Sequence, residues 1–435
     1  MYHFIGIKGS GMSSLAQIMD SLGMEVQGSD VSKHFFTEQG LIEHGIKIYE
    51  FNSENIKEGL VVVQGNAFNE NNNEEVKRAK ELNLKILSYQ DMVGEISKMF
   101  NTICIAGCHG KTTTTAMLSH VLNNITGCNY LIGDGTGYAN KNNKYFALES
   151  CEYKRHFLSY KPSYSIITNI ELDHVDYYKD IYDVVDAYQS FINNTSKCAI
   201  VCGDDENTRK LKFDKKIIYY GLSEENNVVA KNINYSKDGT SFDVYIDNKY
   251  INNFNLKLYG KHMLLNSLAV ITLCYLENLD LEKVKENLIT FKGAKRRFTE
   301  TKVKDNIIVD DYAHHPTEVL ATINSARQKY PNKSIVAVFE PHTFTRTIRF
   351  HKELIKVLKK CDKVYVMDIY GAREKQENYP NVTYKIIADE IEGAQTINRD
   401  EAFKLKDINN SVILFMSPND LSKLENDYIK LKQEQ

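Results

Sequence analysis

Short apolar runs alternate with helix-spaced apolar positions along most of this chain. In residues 1–97, Tyr2–Ile7, Glu25–Gly28, Ile46–Tyr49, Leu60–Val63 and Lys85–Leu87 read as strands. Between them, Met12–Leu22, Phe35–His44 and Glu74–Leu82 carry helical spacing. That alternation predicts a parallel sheet with helices on both faces. A second unit, 98–296, opens with the run Ile103–Ala106, a glycine turn and a helix-spaced segment containing Met117, Leu118, Val121 and Leu122. Buried-type strands follow at Tyr145–Leu148, Ser165–Thr168 and Ala199–Cys202, then a hairpin over Ser241–Leu258 with a break near Asp247-Asn248. Helices are expected across Met263–Leu276 and Leu281–Leu288. The third unit, 297–435, returns to the first pattern, with strands at Asn306–Val309, Ser334–Phe339, Lys363–Met367 and Val412–Met416. The expected fold class is α/β, built as three units in series.

Composition narrows the partners. At 435 residues the chain has room for about three domains. A net charge of −3 gives no electrostatic footprint for nucleic acid. Apolar runs are strand-length and far short of a membrane span. Eight cysteines without a Cys-x-x-Cys pair suit neither a disulfide framework nor a zinc site. With free thiols and an N-terminus, MYHFIG, that lacks the basic and apolar regions of a signal peptide, a cytoplasmic location is expected.

Candidate chemistry begins at Gly107-Cys108-His109-Gly110-Lys111-Thr112-Thr113, between a strand and a helix. Glycines let backbone N–H groups approach phosphates, and the helix N-terminus adds partial positive charge. Lys111 can reach β- and γ-phosphates and the Thr112 hydroxyl can ligate Mg²⁺. The spacing is the shorter Gly-x-x-Gly-Lys-Thr, because Ile105 stands where the long form has its first glycine. Near the N-terminus, Gly6, Gly9 and Gly11 lie between a strand and a helix and suit a diphosphate, with Ser29 and Asp30 closing the next strand.

Acidic and imidazole side chains gather at strand ends. Glu149 and Glu152 follow Tyr145–Leu148, and Asn169, Glu171, Asp173, His174 and Asp176 follow Ser165–Thr168, where metal ions bind beside a phosphate loop. In the third unit Asp310 to Glu318 reads DDYAHHPTE, with Pro316 suited to a first helical turn. Ser334–Phe339 is expected to adjoin that strand, bringing His342 and Arg346 beside the first group. Arg296-Arg297 stands at the junction of the second and third units.

Together these segments resemble the Mur ligase family over nearly the whole chain and in the right order. The resemblance rests on GIKGSGMSSLA, GCHGKTTTT, the Glu149–Glu152 segment, TNIELDH, GKHMLLNSLA, AKRRF, DDYAHHPTE and EPHTFTRT. It implies a UDP-binding Rossmann-like domain at 1–97, a central P-loop-type ATPase domain at 98–296 and a Rossmann-like amino-acid-binding domain at 297–435. The motifs most resemble the alanine-adding branch, implying ATP- and Mg²⁺-dependent joining of L-alanine to the lactoyl carboxylate of UDP-N-acetylmuramate through an acyl phosphate. Tyr312, Phe298 and the segment Cys151–Leu158 resemble that branch more than the recycling branch, which attaches an intact peptide. A nucleotide-binding regulator without catalysis is the alternative of another class.

Residue by residue, the resemblance assigns Lys111 and Gly107–Thr113 to ATP phosphates, and Thr112, Glu149 and His174 to Mg²⁺. It assigns Asn266 to adenine, with His262 preceding it, and Arg297 to the nucleotide. Gly9, Ser10, Gly11 and Met12 cradle the UDP diphosphate, with Ser29 and Asp30 beside them. Tyr312, His314 and Arg346 fall around the incoming alanine, with His314 a candidate base. The assembly implied is a monomer or weak homodimer. Two departures stand out: Cys108 where relatives carry Thr or Ser, and Met416-Ser417-Pro418-Asn419-Asp420 where they carry Gly-Ala-Gly-Asp. A thiol at a helix N-terminus motivates an expectation of thiol-reagent sensitivity. Pro418 cannot copy a glycine backbone.

Overall fold

The computed structural model describes residues 1–35 and 37–434. The expected helix Phe35–His44 therefore includes one position, Phe36, outside the described residues, as is Gln435 of the third unit.

In the first sheet domain, β1 (Tyr2–Ile5), β2 (Val26–Asp30), β3 (Lys47–Glu50), β4 (Val61–Gln64) and β5 (Lys85–Ser88) pair in the order β3-β2-β1-β4-β5. All pairs are parallel, with Tyr2 opposite both Val26 and Val61. Helices α1 (Ser10–Ser21), α2 (Glu38–Glu43), α3 (Glu74–Glu81) and α4 (Tyr89–Ser97) connect them. Local chemistry sets the helix starts. Asn73 accepts the N–H groups of Glu75 and Val76, and Ser88 forms a capping box with Asp91. Helix α2 is shorter than expected, because Glu38 turns back to bond Phe35 N and Lys8.

The central domain contains β6 (Asn101–Ala106), α5 (Lys111–Ile125), β7 (Cys128–Leu131), β8 (Gly137–Tyr138), β9 (Tyr145–Glu149), β10 (Tyr164–Ile167), α6 (Ile181–Asn193), β11 (Cys198–Cys202) and β12 (Lys216–Gly221). Its strand order is β12-β11-β10-β6-β9-β7-β8, parallel except for the β7–β8 pair. Next come β13 (Val228–Ser236), β14 (Gly239–Ile246), β15 (Lys249–Leu256), α7 (Lys261–Leu276) and α8 (Leu281–Thr290). The hairpin break falls where expected: Asp247 and Asn248 both take positive φ, as a two-residue turn requires.

The C-terminal domain has β16 (Thr299–Val303), β17 (Asn306–Asp311), α9 (Pro316–Lys329), β18 (Ser334–Phe339), α10 (Phe344–Leu358), β19 (Lys363–Val366), α11 (Lys385–Ala388), β20 (Gln395–Thr396), β21 (Ser411–Met416) and α12 (Ser422–Glu434). The order is β16-β17-β21-β18-β19-β20, and only β16 is paired antiparallel. Strand β21 therefore separates β17 from β18, correcting the expectation that those two adjoin. It is buried on both faces: Val412, Leu414 and Met416 join one core, Ile413 and Phe415 the other.

By compactness the chain forms two units. One comprises Met1–Glu171, Tyr182–Val228 and Ala269–Asn287; the other comprises Leu172–Ile181, Val229–Leu268 and Leu288 onward. In the first, Phe157 is fully buried and stacks on Phe191 at 4.4 Å, with Tyr188 edge-on at 5.4 Å. This contact fixes the Cys151–Leu158 segment against α6. Phe157→Ala is expected to cost about 3–5 kcal/mol. The check is denaturant unfolding, where the midpoint falls while the slope is unchanged.

Candidate active site

In the first unit β6 lies between β9 and β10, and the loop leaving it sits where the winding of the sheet reverses. Gly107 takes φ 145° and Gly110 takes φ 83°, so the backbone turns tightly into α5. A Cβ at Gly107 would collide with Thr168 Oγ1. Asn169 staples the loop from both sides: Oδ1 accepts His109 N at 2.9 Å and Nδ2 donates to His109 O at 2.9 Å. Cys108, only 7% exposed, donates through Sγ to Glu171 O at 3.0 Å and accepts Glu171 N at 3.1 Å. The His109 ring reaches the Glu171 carboxylate at 3.5 Å. Thr113 is buried within α5.

Lys111 Nζ lies 3.0 Å from Glu152 Oε2 and also donates to the carbonyls of Gly107 and Cys108. Burial alone would drive its pKa down, but the buried Glu152 carboxylate, with smaller contributions from Cys151, Cys108 and Glu149, raises it instead. The ammonium is therefore fixed in place and charged. Thr112 Oγ1 donates to Glu149 Oε1 at 2.9 Å, and Gly133 N donates to Glu149 Oε2 at 2.6 Å. A hydroxyl and a carboxylate side by side form a hard oxygen donor set, which fits Mg²⁺.

The N-terminal glycine loop belongs to the same unit. Gly6 N and Ile7 N donate to Ser29 O at 2.9 and 3.1 Å, and Lys8 N donates to Asp30 Oδ2 at 2.8 Å. These bonds hold the backbone through Gly9 and leave Ser10 and Gly11 in the first turn of α1. Met12 packs inward and is buried. Ser29, expected to face a ligand, is fully buried. Its hydroxyl donates to Glu75 and lies 3.3 Å from His3 Nε2, so the side chain supports the loop from beneath. A short strand ending in Ser-Asp gave no means of separating these two roles.

The second unit gathers the other group. His315 caps α9 and Pro316 opens it. Tyr312 lies under the guanidinium of Arg297 at 4.9 Å and that of Arg296 at 5.6 Å. His314 and His342 meet edge to face at 5.1 Å although β21 intervenes between their strands. His314 Nδ1 lies 2.9 Å from Tyr312 O and 3.3 Å from Glu318 Oε2. Arg346 Nη1 lies 2.6 Å from His342 Nδ1, and Nε and Nη2 donate to Asp173 Oδ1 at 3.1 and 2.7 Å. Burial would raise the Asp173 carboxyl, but the Arg346 charge outweighs it and holds it well below the usual range. Burial pushes His314 down to about 4 and His342 to about 3, although Glu318 opposes the shift at His314.

His174, at φ 48°, belongs to this unit through the segment Leu172–Ile181, and its N–H donates to Asp173 Oδ1 at 2.7 Å. Arg297 faces Glu318 at 3.6 Å. Burial lowers His262 to about 4 and raises Asp311 to about 6. Asn266 Nδ2 is buried and, among the described residues, has no hydrogen-bond partner. An orphaned donor of this kind fits a ligand that supplies an acceptor. The departing turn after β21 is held by arginine: Arg296 donates to the carbonyls of Ser417, Pro418 and Asn419 at 2.9, 3.3 and 2.7 Å. Ser417 Oγ also donates to Glu340 Oε2 at 2.5 Å, so a rigid proline turn replaces a glycine one with its carbonyls satisfied.

Comparisons with known proteins place this architecture. The Mur ligase family catalytic domain matches residues 1–101, the Mur ligase middle domain residues 105–274 and the Mur ligase glutamate ligase domain residues 296–419. A UDP-N-acetylmuramate-alanine ligase from Thermotoga maritima superposes with a TM-score of 0.79 at 26% identity, covering 100% of this chain and 99% of its own. A murein peptide ligase from Psychrobacter arcticus gives 0.70 at 22%, with 100% and 99% covered, and therefore shows likeness of fold alone. The same holds for a MurF ligase of Thermotoga maritima in complex with ADP, at 0.68 and 18%, with 88% and 97% covered. With all three domains matched in order, the chain belongs to the Mur ligase family, the ATP-dependent amide ligases of peptidoglycan precursor synthesis.

Proposed function

We propose that this enzyme joins L-alanine to the lactoyl carboxylate of UDP-N-acetylmuramate, in the cytoplasm, with ATP giving ADP and phosphate. The observation that supports the acceptor assignment is the full-length similarity to an alanine ligase, at 26% identity and a TM-score of 0.79. In this reading residues 1–97 hold the sugar nucleotide, 98–296 the ATP and 297–435 the amino acid.

Gly9, Ser10 and Gly11 bind the UDP diphosphate, with Asp30 closing their loop. Gly107, Gly110 and Lys111 orient the ATP phosphates, and Asn266 meets the adenine. Thr112 and Glu149 would hold Mg²⁺, which would offset negative charge as a carboxylate approaches a triphosphate. A lactoyl oxygen attacks the γ-phosphorus and ADP leaves. The alanine nitrogen then attacks the acyl carbon, a proton leaves nitrogen, and phosphate departs with the C–O bonding pair. Lys111 is already desolvated and charged, and Glu152 holds it beside the loop where the phosphates would arrive.

Tautomers divide the histidine roles. Arginine only donates, so His342 Nδ1 accepts from Arg346 and its proton sits on Nε2. Tyr312 O only accepts, so His314 Nδ1 donates and Nε2 keeps a lone pair. A ring lowered to about 4 is neutral at pH 7, so its Nε2 accepts a hydrogen bond from the attacking nitrogen, and the departing phosphate takes the proton. Arg346, balanced by Asp173, positions this pair and the acceptor.

Three outcomes are expected. Phosphate release from ATP and Mg²⁺ should require both UDP-N-acetylmuramate and L-alanine; turnover with peptide and not with alanine would contradict the acceptor assignment. Lys111→Met should reduce kcat by about 100-fold or more while circular dichroism stays native. Near-normal turnover would refute the phosphate role. Finally, His314 and His342 are lowered from 6.5 to about 4 and about 3 in the folded state. Between those values and 6.5 the unfolded chain binds more protons, so stability is fully present above pH 6.5 and falls on acidification. Melting temperature should drop from pH 7 to 4.5, and less steeply in His342→Gln; an unchanged slope would refute the buried neutral ring.

A further inference from the structure

The turn between β7 and β8 joins the start of α1 to the carboxylate of Glu149. Gly133 N donates to Glu149 Oε2 at 2.6 Å, while Thr112 binds the other oxygen of that carboxylate at 2.9 Å. Two residues on, Gly135 O accepts from Ser14 Oγ, in the second turn of α1. Gly135 takes φ 84°, and a Cβ there would collide with Ser10 Oγ. At Gly137 a Cβ would lie 3.1 Å from Ser14 Cβ and 3.2 Å from Ile18 Cδ1, so α1 and the turn are in close register.

The turn itself is braced. Ile132 N donates to Thr136 O at 2.9 Å, Gly135 N to Ile132 O at 3.1 Å and Thr136 N to Asp134 Oδ1 at 2.9 Å. A braced turn moves as one body. A displacement at Gly135 is therefore delivered to Gly133 N and from there to the carboxylate.

We propose that Ser14 is a positioning residue for the metal-binding carboxylate, acting through the Gly133–Gly137 turn on Glu149. The start of α1 bears Ser10 and Gly11, assigned above to the UDP diphosphate. Loading the glycine loop thus seats the turn, and the turn aims Glu149 at the metal beside the phosphate loop. Sugar nucleotide and metal nucleotide each tighten the binding of the other, as linkage requires. This inference rests on the assignment of Thr112 and Glu149 to the metal.

The test is Mn²⁺ binding in the presence of ADP, followed by the electron paramagnetic resonance of free Mn²⁺, with and without UDP-N-acetylmuramate. Ser14→Ala should weaken Mn²⁺ binding about five-fold, the worth of one hydrogen bond, and remove the tightening produced by the sugar nucleotide. Ser13→Ala removes a neighbouring hydroxyl that bonds Thr37 O and should behave as wild type. If Ser14→Ala binds Mn²⁺ as wild type does, the relay is wrong. If Glu149→Gln also binds as wild type does, the metal assignment beneath it has failed; if Glu149→Gln weakens binding and Ser14→Ala does not, only the relay has. Should Ser14→Ala not fold, Gly137→Ala, which lifts the turn from α1, must give the same loss.

Discussion

A buried ammonium held against a buried carboxylate sets the terms for the phosphate loop. Lys111 and Glu152 lie 3.0 Å apart, and the lysine is drawn further into the loop by the carbonyls of Gly107 and Cys108. Removing either charge strands the other away from water, which is far costlier than any exposed pair would be. In the proposed reaction the pair also fixes where phosphate arrives, because a triphosphate would compete with Glu152 for one ammonium. Asn169 and Thr168 hold the loop open around that point, and Thr112 is committed to Glu149 beside it.

The same balance of buried charges appears in the second unit. Asp173 and Arg346 are both buried and balance each other, which leaves His342 and His314 as neutral rings in opposite tautomers. Strand β21 lies between the strands that bear these residues, so its exit turn borders the cluster. Its unusual Ser-Pro-Asn-Asp sequence is accommodated because Arg296 satisfies the carbonyls of Ser417, Pro418 and Asn419. A rigid turn replaces a flexible one with its hydrogen bonds intact, so this departure supplies no argument for lost catalysis.

Much of this was legible in the sequence because buried parallel strands advertise themselves. Runs such as Val412–Met416 are apolar on both faces, and glycines at Gly107 and Gly110 mark a tight turn into a helix. Helix α6 shows that a signal can be present and unused: Val184, Ala187, Tyr188, Phe191 and Ile192 are spaced for one buried face. Strand β7 and helix α4 also escaped notice, since neither begins with an apolar run. Pairing order is a different matter. Nothing in Ser334–Phe339 says that β21 inserts beside it, because that choice is made by crossover connections and not by local pattern. Ser29 illustrates the same limit at the scale of one side chain. A hydroxyl at a strand end serves a ligand or a buried glutamate equally well, and only Glu75, 46 residues away in the chain, decides it.

In the proposed reaction a carboxylate is activated by phosphoryl transfer before an amine displaces the phosphate. Turnover with UDP-N-acetylmuramate carrying ¹⁸O in its lactoyl carboxylate tests that order of events. One labelled oxygen of that carboxylate should appear in the phosphate released with each amide formed. Amide formation with unlabelled phosphate would contradict it, because the acyl oxygen would then never have been bonded to phosphorus.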